Sequence, residues 1–83
     1  MKVAVGSVAF LDASVLYSGR LRDYLLHLAL RDLFQPRWSV RVHEEWIAAL
    51  LRNRPDLTGA QLQRTRGLMD EHFPEALVTV TIL

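Results

Sequence analysis

The alternation of apolar and polar stretches divides the chain into short elements. Residues 3–11 form an apolar run rich in Val and Ala without clean alternation, which predicts a buried strand. Asp12 ends this run. A short helical turn is predicted over residues 14–17, and the Ser18-Gly19 pair that follows should interrupt it.

Leucines at spacings of three and four predict a helix over residues 21–34, which Pro36 limits. Residues 34–39 then form either a brief second parallel strand or an extended link. Ser39 is a suitable cap for an amphipathic helix over residues 40–52.

Thr58 and Gln61 match a capping box, which predicts a helix from this point to about His72. Residues 76–83 alternate and are β-branched, as in a strand. The resulting order, β–α–(β)–α–α–β, is typical of an α/β fold with a parallel sheet. With 83 residues, the chain makes one small domain at most.

Composition narrows the functional classes only slightly. The net charge of +1 gives no bulk signature of nucleic-acid binding. Nine of the ten cations are Arg, which suits phosphate contacts but is explained more simply by a GC-rich genome. The absence of Cys excludes disulfides and thiolate metal sites, and the N-terminal apolar run is too short for a signal peptide or membrane span. We therefore expect a cytoplasmic protein without membrane contact.

Asp12 is the residue that most needs an explanation, because it interrupts an apolar run. If residues 8–11 form a parallel strand, Asp12 lies at the carboxyl edge, where ligands bind in open α/β sheets. It could then be a metal-binding or catalytic carboxylate. The alternative is an N-cap for the helix that follows.

Two further acids, Glu44 and Glu45, fall on opposite borders of one helix's apolar face, and the periodicity does not choose between them. A pair such as Asp12 and Glu45 would offer hard oxygen ligands suited to Mg²⁺ or Mn²⁺. Solvated helix flanks are the simpler interpretation of both Glu residues.

The remaining chemistry-bearing residues have ordinary alternatives. The three His show no ligand spacing, and Trp38 and Trp46 fit a core better than a base-stacking platform. Four Arg could form an RNA-phosphate face or a solvated surface: Arg52, Arg54, Arg64 and Arg66.

Three segments, in this order and spacing, resemble the PIN-domain nucleases, in particular the VapC-like toxin branch. The first is Phe10-Leu11-Asp12-Ala13-Ser14-Val15-Leu16-Tyr17. The second is Phe34-Gln35-Pro36-Arg37-Trp38-Ser39, followed by Glu44-Glu45-Trp46 and Leu50-Leu51-Arg52-Asn53. The third is Phe73-Pro74-Glu75-Ala76-Leu77-Val78-Thr79.

The resemblance implies a three-layer α/β/α sandwich and a Mg²⁺- or Mn²⁺-dependent endoribonuclease. Asp12 would be the first acid of its site, with Ser14 as a neighbouring polar group, and Glu45 would be the second. Arg52 and Arg54 are candidate RNA contacts. The implied partners are RNA and a protein antitoxin.

The family's third and fourth acids follow the strand that begins near Leu77, and no residue up to Leu83 matches them. We therefore expect residues 1–83 to be a single PIN-like domain that lacks its C-terminal part. Metal binding would be weak or absent and catalysis incomplete. Open strand edges and uncovered apolar surface predict a homo-oligomer. The alternative function is thus a non-catalytic, self-associating protein-interaction module.

Overall fold

A computed structural model of the protein describes residues 7–78. Within this range it is an α/β structure with four helices and three strands, which confirms the predicted α/β class with a parallel sheet. In chain order the elements are β1 (Ser7–Phe10), α1 (Ala13–Tyr17), α2 (Gly19–Leu30), β2 (Phe34–Ser39), α3 (Val40–Asn53), α4 (Gly59–His72) and β3 (Leu77–Val78).

The three strands form a parallel sheet in the order β1-β2-β3. Residues 34–39 are therefore the central strand rather than a link, with Ser7 opposite Phe34 and Trp38 opposite Leu77. Because the strands are parallel, the ends of β1 and β2 lie at the same edge of the sheet. The helices that follow them, α1 and α3, start at this edge and pack against each other.

One hydrophobic core joins the sheet to the helices. Trp38 of β2 and Trp46 of α3 are 1% and 0% exposed. Both therefore belong to the core, as predicted from the sequence. Trp38 meets Phe73 edge to face at 6.0 Å between ring centroids, which ties the end of α4 to the sheet. Other large members of the core are Leu16, Phe34, Ile47, Leu50, Leu62 and Met69.

Local side-chain caps set the helix starts. Ser39 accepts a hydrogen bond from the Val42 amide, and Thr58 and Gln61 form the predicted capping box. The predicted end of the second helix is wrong, since α2 stops at Leu30 rather than continuing to residue 34. The chain turns back at Asp32, whose φ of 60° lies in the left-handed region, and Phe34 is already the first residue of β2.

The prediction that the first strand is buried is wrong for one of its faces. Val8 and Phe10 are 51% and 73% exposed, whereas Leu11, which follows them, is buried. The register places them beside Gln35 and Arg37 of β2, on the face opposite Trp38. Within residues 7–78 this face of the sheet is open to solvent, and β1 is an edge strand.

Parts of the first and last predicted strands, residues 3–6 and 79–83, lie outside the described range, and β3 is described only as Leu77–Val78. Among the described helices, none combines the length and apolar character required to cross a membrane.

Candidate functional site

Asp12 caps α1. Its Oδ1 accepts hydrogen bonds from the Val15 amide at 3.0 Å and from the Ser14 hydroxyl at 2.8 Å. These bonds favour the ionised form, so they lower the pKa of the Asp12 carboxyl from its ordinary value, the Val15 amide contributing most. The N-cap interpretation is therefore confirmed. A capping role still leaves Oδ2 open, because no hydrogen bond reaches it from residues 7–78.

An open cavity of about 710 Å³ lies between α1 and α3. Its polar lining consists of Ser14 and Tyr17 from α1 and of Arg41, Glu44, Glu45 and Arg52 from α3. Asp12 is not part of the lining and adjoins the cavity through its bond to Ser14. Both Glu side chains thus border the same cavity. The helical projection left open which of the two would face it.

Glu45 differs from Glu44 in having a partner. Its Oε1 accepts a hydrogen bond from Arg41 Nε at 3.0 Å, in an ion pair between residues one helical turn apart. Both side chains of this pair are largely exposed. Such exposed pairs contribute little to stability, about 0.5 kcal/mol. Arg41 is therefore a weak competitor for any cation that approaches Glu45.

The donor set determines which metal this region could hold. Within residues 7–78 no cluster of three or more His, Cys, Asp or Glu residues is arranged to bind a metal ion. Asp12 and Glu45 remain as two hard carboxylates, each bonded through only one oxygen. Mg²⁺ commonly takes one or two protein carboxylates and completes its shell with water and phosphate oxygens. In their donor chemistry the two carboxylates therefore suit a weakly bound, largely hydrated Mg²⁺ or Mn²⁺ ion.

The two candidate RNA contacts lie on different surfaces. Arg52 lines the cavity that Ser14 and Glu45 share. Arg54 makes a bidentate pair with Asp56, at 2.9 and 2.8 Å, and borders a separate cavity. The hydrogen bonds of that pair raise the pKa of Arg54 and lower the pKa of Asp56. Arg52 is therefore the better placed of the two beside the acids.

A buried polar network connects α3 and α4, and no motif in the sequence indicates it. Trp46 Nε1 donates to His43 Nδ1 at 3.0 Å, and His43 Nε2 lies 3.0 Å from Asp70 Oδ1. Trp38 Nε1 donates to the same Asp70 oxygen at 2.8 Å. His43 and Asp70 are far apart along the chain, so no local spacing could have revealed the pair.

Arg22 of α2 contacts residues of both helices that form the cavity. Its guanidinium lies 4.9 Å from the ring centroid of Trp46, in a cation–π contact. One of its terminal nitrogens, Nη1, donates to the main-chain carbonyl of Leu16 at 2.8 Å. These contacts tie the helix that carries Glu45 to α1 and α2.

Comparison of the chain with protein-family models, curated proteins and solved structures finds no match. The likeness to PIN-domain nucleases thus remains a prediction that rests on the segments quoted above and on their order.

Proposed function

We propose that this protein is a PIN-type ribonuclease domain whose metal site is formed by Asp12 and Glu45. The observation that supports the proposal is the shared cavity between α1 and α3. Glu45 lines it together with Ser14, the residue hydrogen-bonded to Asp12. We further propose that the protein acts in the cytoplasm, with RNA as substrate and a protein antitoxin as its regulator.

In this proposal each residue has a separate task. Asp12 and Glu45 hold the cation, and the bonds from Val15 and Ser14 keep the Asp12 carboxyl ionised and oriented. Arg52, on the same cavity wall, binds a phosphate of the RNA chain. When bound, Mg²⁺ or Mn²⁺ would polarise the phosphodiester and supply a hydroxide nucleophile at neutral pH.

The small number of carboxylate ligands, two, limits how tightly the cation is held and therefore how fast RNA can be cleaved. A cation held by only two protein oxygens keeps most of its water and dissociates readily. We therefore expect weak metal binding and slow or undetectable cleavage by residues 1–83.

Calorimetric titration with Mn²⁺ tests the site. Asp12→Asn and Glu45→Gln should each abolish measurable binding, because each removes one anionic ligand. Glu44→Gln is the matched control, since Glu44 lines the same cavity, and it should leave binding within about twofold of wild type. Absence of Mn²⁺ binding by the wild-type chain, or equal losses in all three variants, would contradict the metal site.

A second candidate function is self-association without catalysis. It is favoured by Val8 and Phe10, which are 51% and 73% exposed on an edge strand. Unpaired edge strands with apolar side chains readily pair with another chain. In this case the domain acts as a protein-interaction module.

Two measurements separate the candidates. Cleavage of RNA with Mg²⁺ that is lost in Asp12→Asn supports the nuclease. A concentration-dependent dimer in sedimentation analysis, dissociated by Phe10→Lys but unchanged by the control Leu51→Lys, supports the interaction module. Leu51 is exposed and belongs to α3 rather than to a strand, so the control introduces the same charge elsewhere.

A further inference from the structure

A second cavity lies on the other side of Tyr17 and differs in chemistry from the first. It measures about 430 Å³ and forms where the start of α2 approaches α4 and the end of α3. Its polar lining consists of Tyr17, Ser18, Arg22, Arg54, Gln61 and Thr65. No Asp or Glu is among the described residues that line it, whereas two Glu residues line the first cavity.

The polar side chains around this cavity retain hydrogen-bond donors. Ser18 Oγ accepts from a main-chain amide of α2, and the Tyr17 hydroxyl oxygen accepts from a side-chain amide of α3. Gln61 Oε1 accepts from the Thr58 amide. Each of the three thus uses an oxygen for structure and keeps an O–H or N–H for another partner. Thr65 is the exception, since its hydroxyl proton goes to the Gln61 carbonyl.

Arg22 adds a positive charge that is not neutralised by an ion pair. Its guanidinium has no carboxylate within 4.0 Å in the described part of the chain, and the buried Nε has no hydrogen-bond partner. The outer nitrogen, Nη2, points toward Gly19, since a Cβ at that position would lie 3.7 Å from it. Arg54, by contrast, is neutralised by Asp56. A half-buried guanidinium without an anion is unfavourable, and an anionic ligand would relieve it.

We propose that this second cavity is an oxyanion-binding site that takes the phosphate group of a nucleotide or of a polynucleotide chain. Arg22 supplies the charge, and Ser18, Tyr17 and Gln61 supply neutral donors. The cavity also has apolar lining from Leu50, Leu57 and Leu62, which suits the sugar or base attached to a phosphate. The inference does not depend on the metal site, because it uses different residues and requires no cation.

The test is a ¹⁵N-resolved NMR titration of the full chain in metal-free buffer, with inorganic phosphate, adenosine monophosphate and a short single-stranded RNA in separate arms. We expect saturable shifts of the Ser18, Gly19, Arg22 and Gln61 amides. Equal affinity for phosphate and the mononucleotide would show that the phosphate alone is recognised. Tighter binding of the RNA would show that a chain phosphate is the ligand.

Gln61→Glu is the decisive variant, because it keeps the capping oxygen for the Thr58 amide but replaces a donor facing the anion with a negative charge. It should weaken phosphate binding about tenfold or more. Gln63→Glu is the matched control, on the same helix but outside the cavity lining, and should remain within about twofold of wild type.

Three results would overturn the proposal: no saturable shifts with any of the three probes, shifts that do not include the Ser18–Arg22 segment, or equal weakening by Gln61→Glu and Gln63→Glu. Because Gln61→Glu preserves the capping box, loss of folding is not expected to obscure the result. Thermal unfolding of both variants checks this directly. A negative outcome would leave the Mn²⁺ titration of Asp12 and Glu45 unaffected, so the two proposals fail separately.

Discussion

The indole Nε1 of Trp46 donates a hydrogen bond to Nδ1 of His43 across 3.0 Å. An indole N–H can only donate, so Nδ1 must be unprotonated. The proton of the neutral imidazole therefore lies on Nε2, which donates to Asp70 at 3.0 Å. His43 is 0% exposed, and this arrangement fixes both its tautomer and its charge.

This neutral His43 predicts that the protein loses stability in mild acid. Burial lowers the pKa of His43, against the opposing effect of its bond to Asp70. The unfolded chain then takes up a proton below about pH 6.5 that the folded protein does not yet bind. The free energy of unfolding should be constant above that pH. Below it, the value should fall by up to about 1.4 kcal/mol per pH unit until the folded pKa is reached.

Urea unfolding between about pH 7.5 and 5 measures this slope. His43→Gln should be less stable at neutral pH and should lose most of the acid dependence, since it removes the titrating group. His27→Gln is the control, because His27 lies on an exposed part of α2 and its replacement should preserve the slope. A wild-type slope that survives His43→Gln would assign the effect to other groups.

Asp70 should be important for stability although it is partly exposed. Its Oδ1 accepts from both Trp38 and His43, at 2.8 and 3.0 Å. Asp70→Ala leaves two buried donors without an acceptor and should cost about 2–4 kcal/mol of unfolding free energy. Asp70→Asn keeps an oxygen and should cost less. Glu71→Ala, an exposed neighbour on the same helix, should change stability by less than about 0.5 kcal/mol, and a similar loss in both Ala variants would contradict the role of the network.

Most of the fold could be predicted from local signals. Ser39 and the Thr58-Gln61 pair mark helix starts through side-chain caps, which depend on residues three positions apart. The end of α2 could not be predicted, because Leu33 and Phe34 continue its apolar pattern while the turn depends on Asp32 in a left-handed conformation. The exposure of Phe10 could not be predicted for another reason: whether helices cover a face of the sheet depends on how the whole chain packs.

The candidate site was predictable to a lesser extent. The position of Asp12 after an apolar strand suffices to place it at the carboxyl edge and to suggest its cap. The network of His43, Asp70 and the two Trp residues depends on contacts between α3, α4 and β2, for which the sequence carries no spacing rule. The assignment of Arg52 and Arg54 to different cavities likewise depends on how α1, α2 and α4 pack around α3.

The capping role of Asp12 can be measured apart from any metal. Asp12→Ala removes the acceptor for the Val15 amide and should lower the free energy of unfolding by about 1 kcal/mol. Asp12→Asn should be nearly neutral, because Asn caps helices as well as Asp. Thermal or urea unfolding in metal-free buffer distinguishes the two. If Asn destabilises as much as Ala, the carboxylate charge rather than the cap determines stability, and Asp12→Asn would then be unsuitable as the folded control for metal binding.

The Arg41–Glu45 ion pair predicts the direction in which metal affinity can be tuned. Arg41 Nε occupies Glu45 Oε1 at 3.0 Å, so a cation must compete with the guanidinium for this carboxylate. Arg41→Ala should therefore tighten Mn²⁺ binding, by about two- to threefold for an exposed pair of this kind. Arg64→Ala, which removes the same charge from an exposed position on α4, controls for the general change in electrostatic potential. Equal gains in both variants would mean that net charge, and not release of Glu45, governs the affinity, whereas weaker binding in Arg41→Ala alone would mean that Arg41 helps to position the ligand.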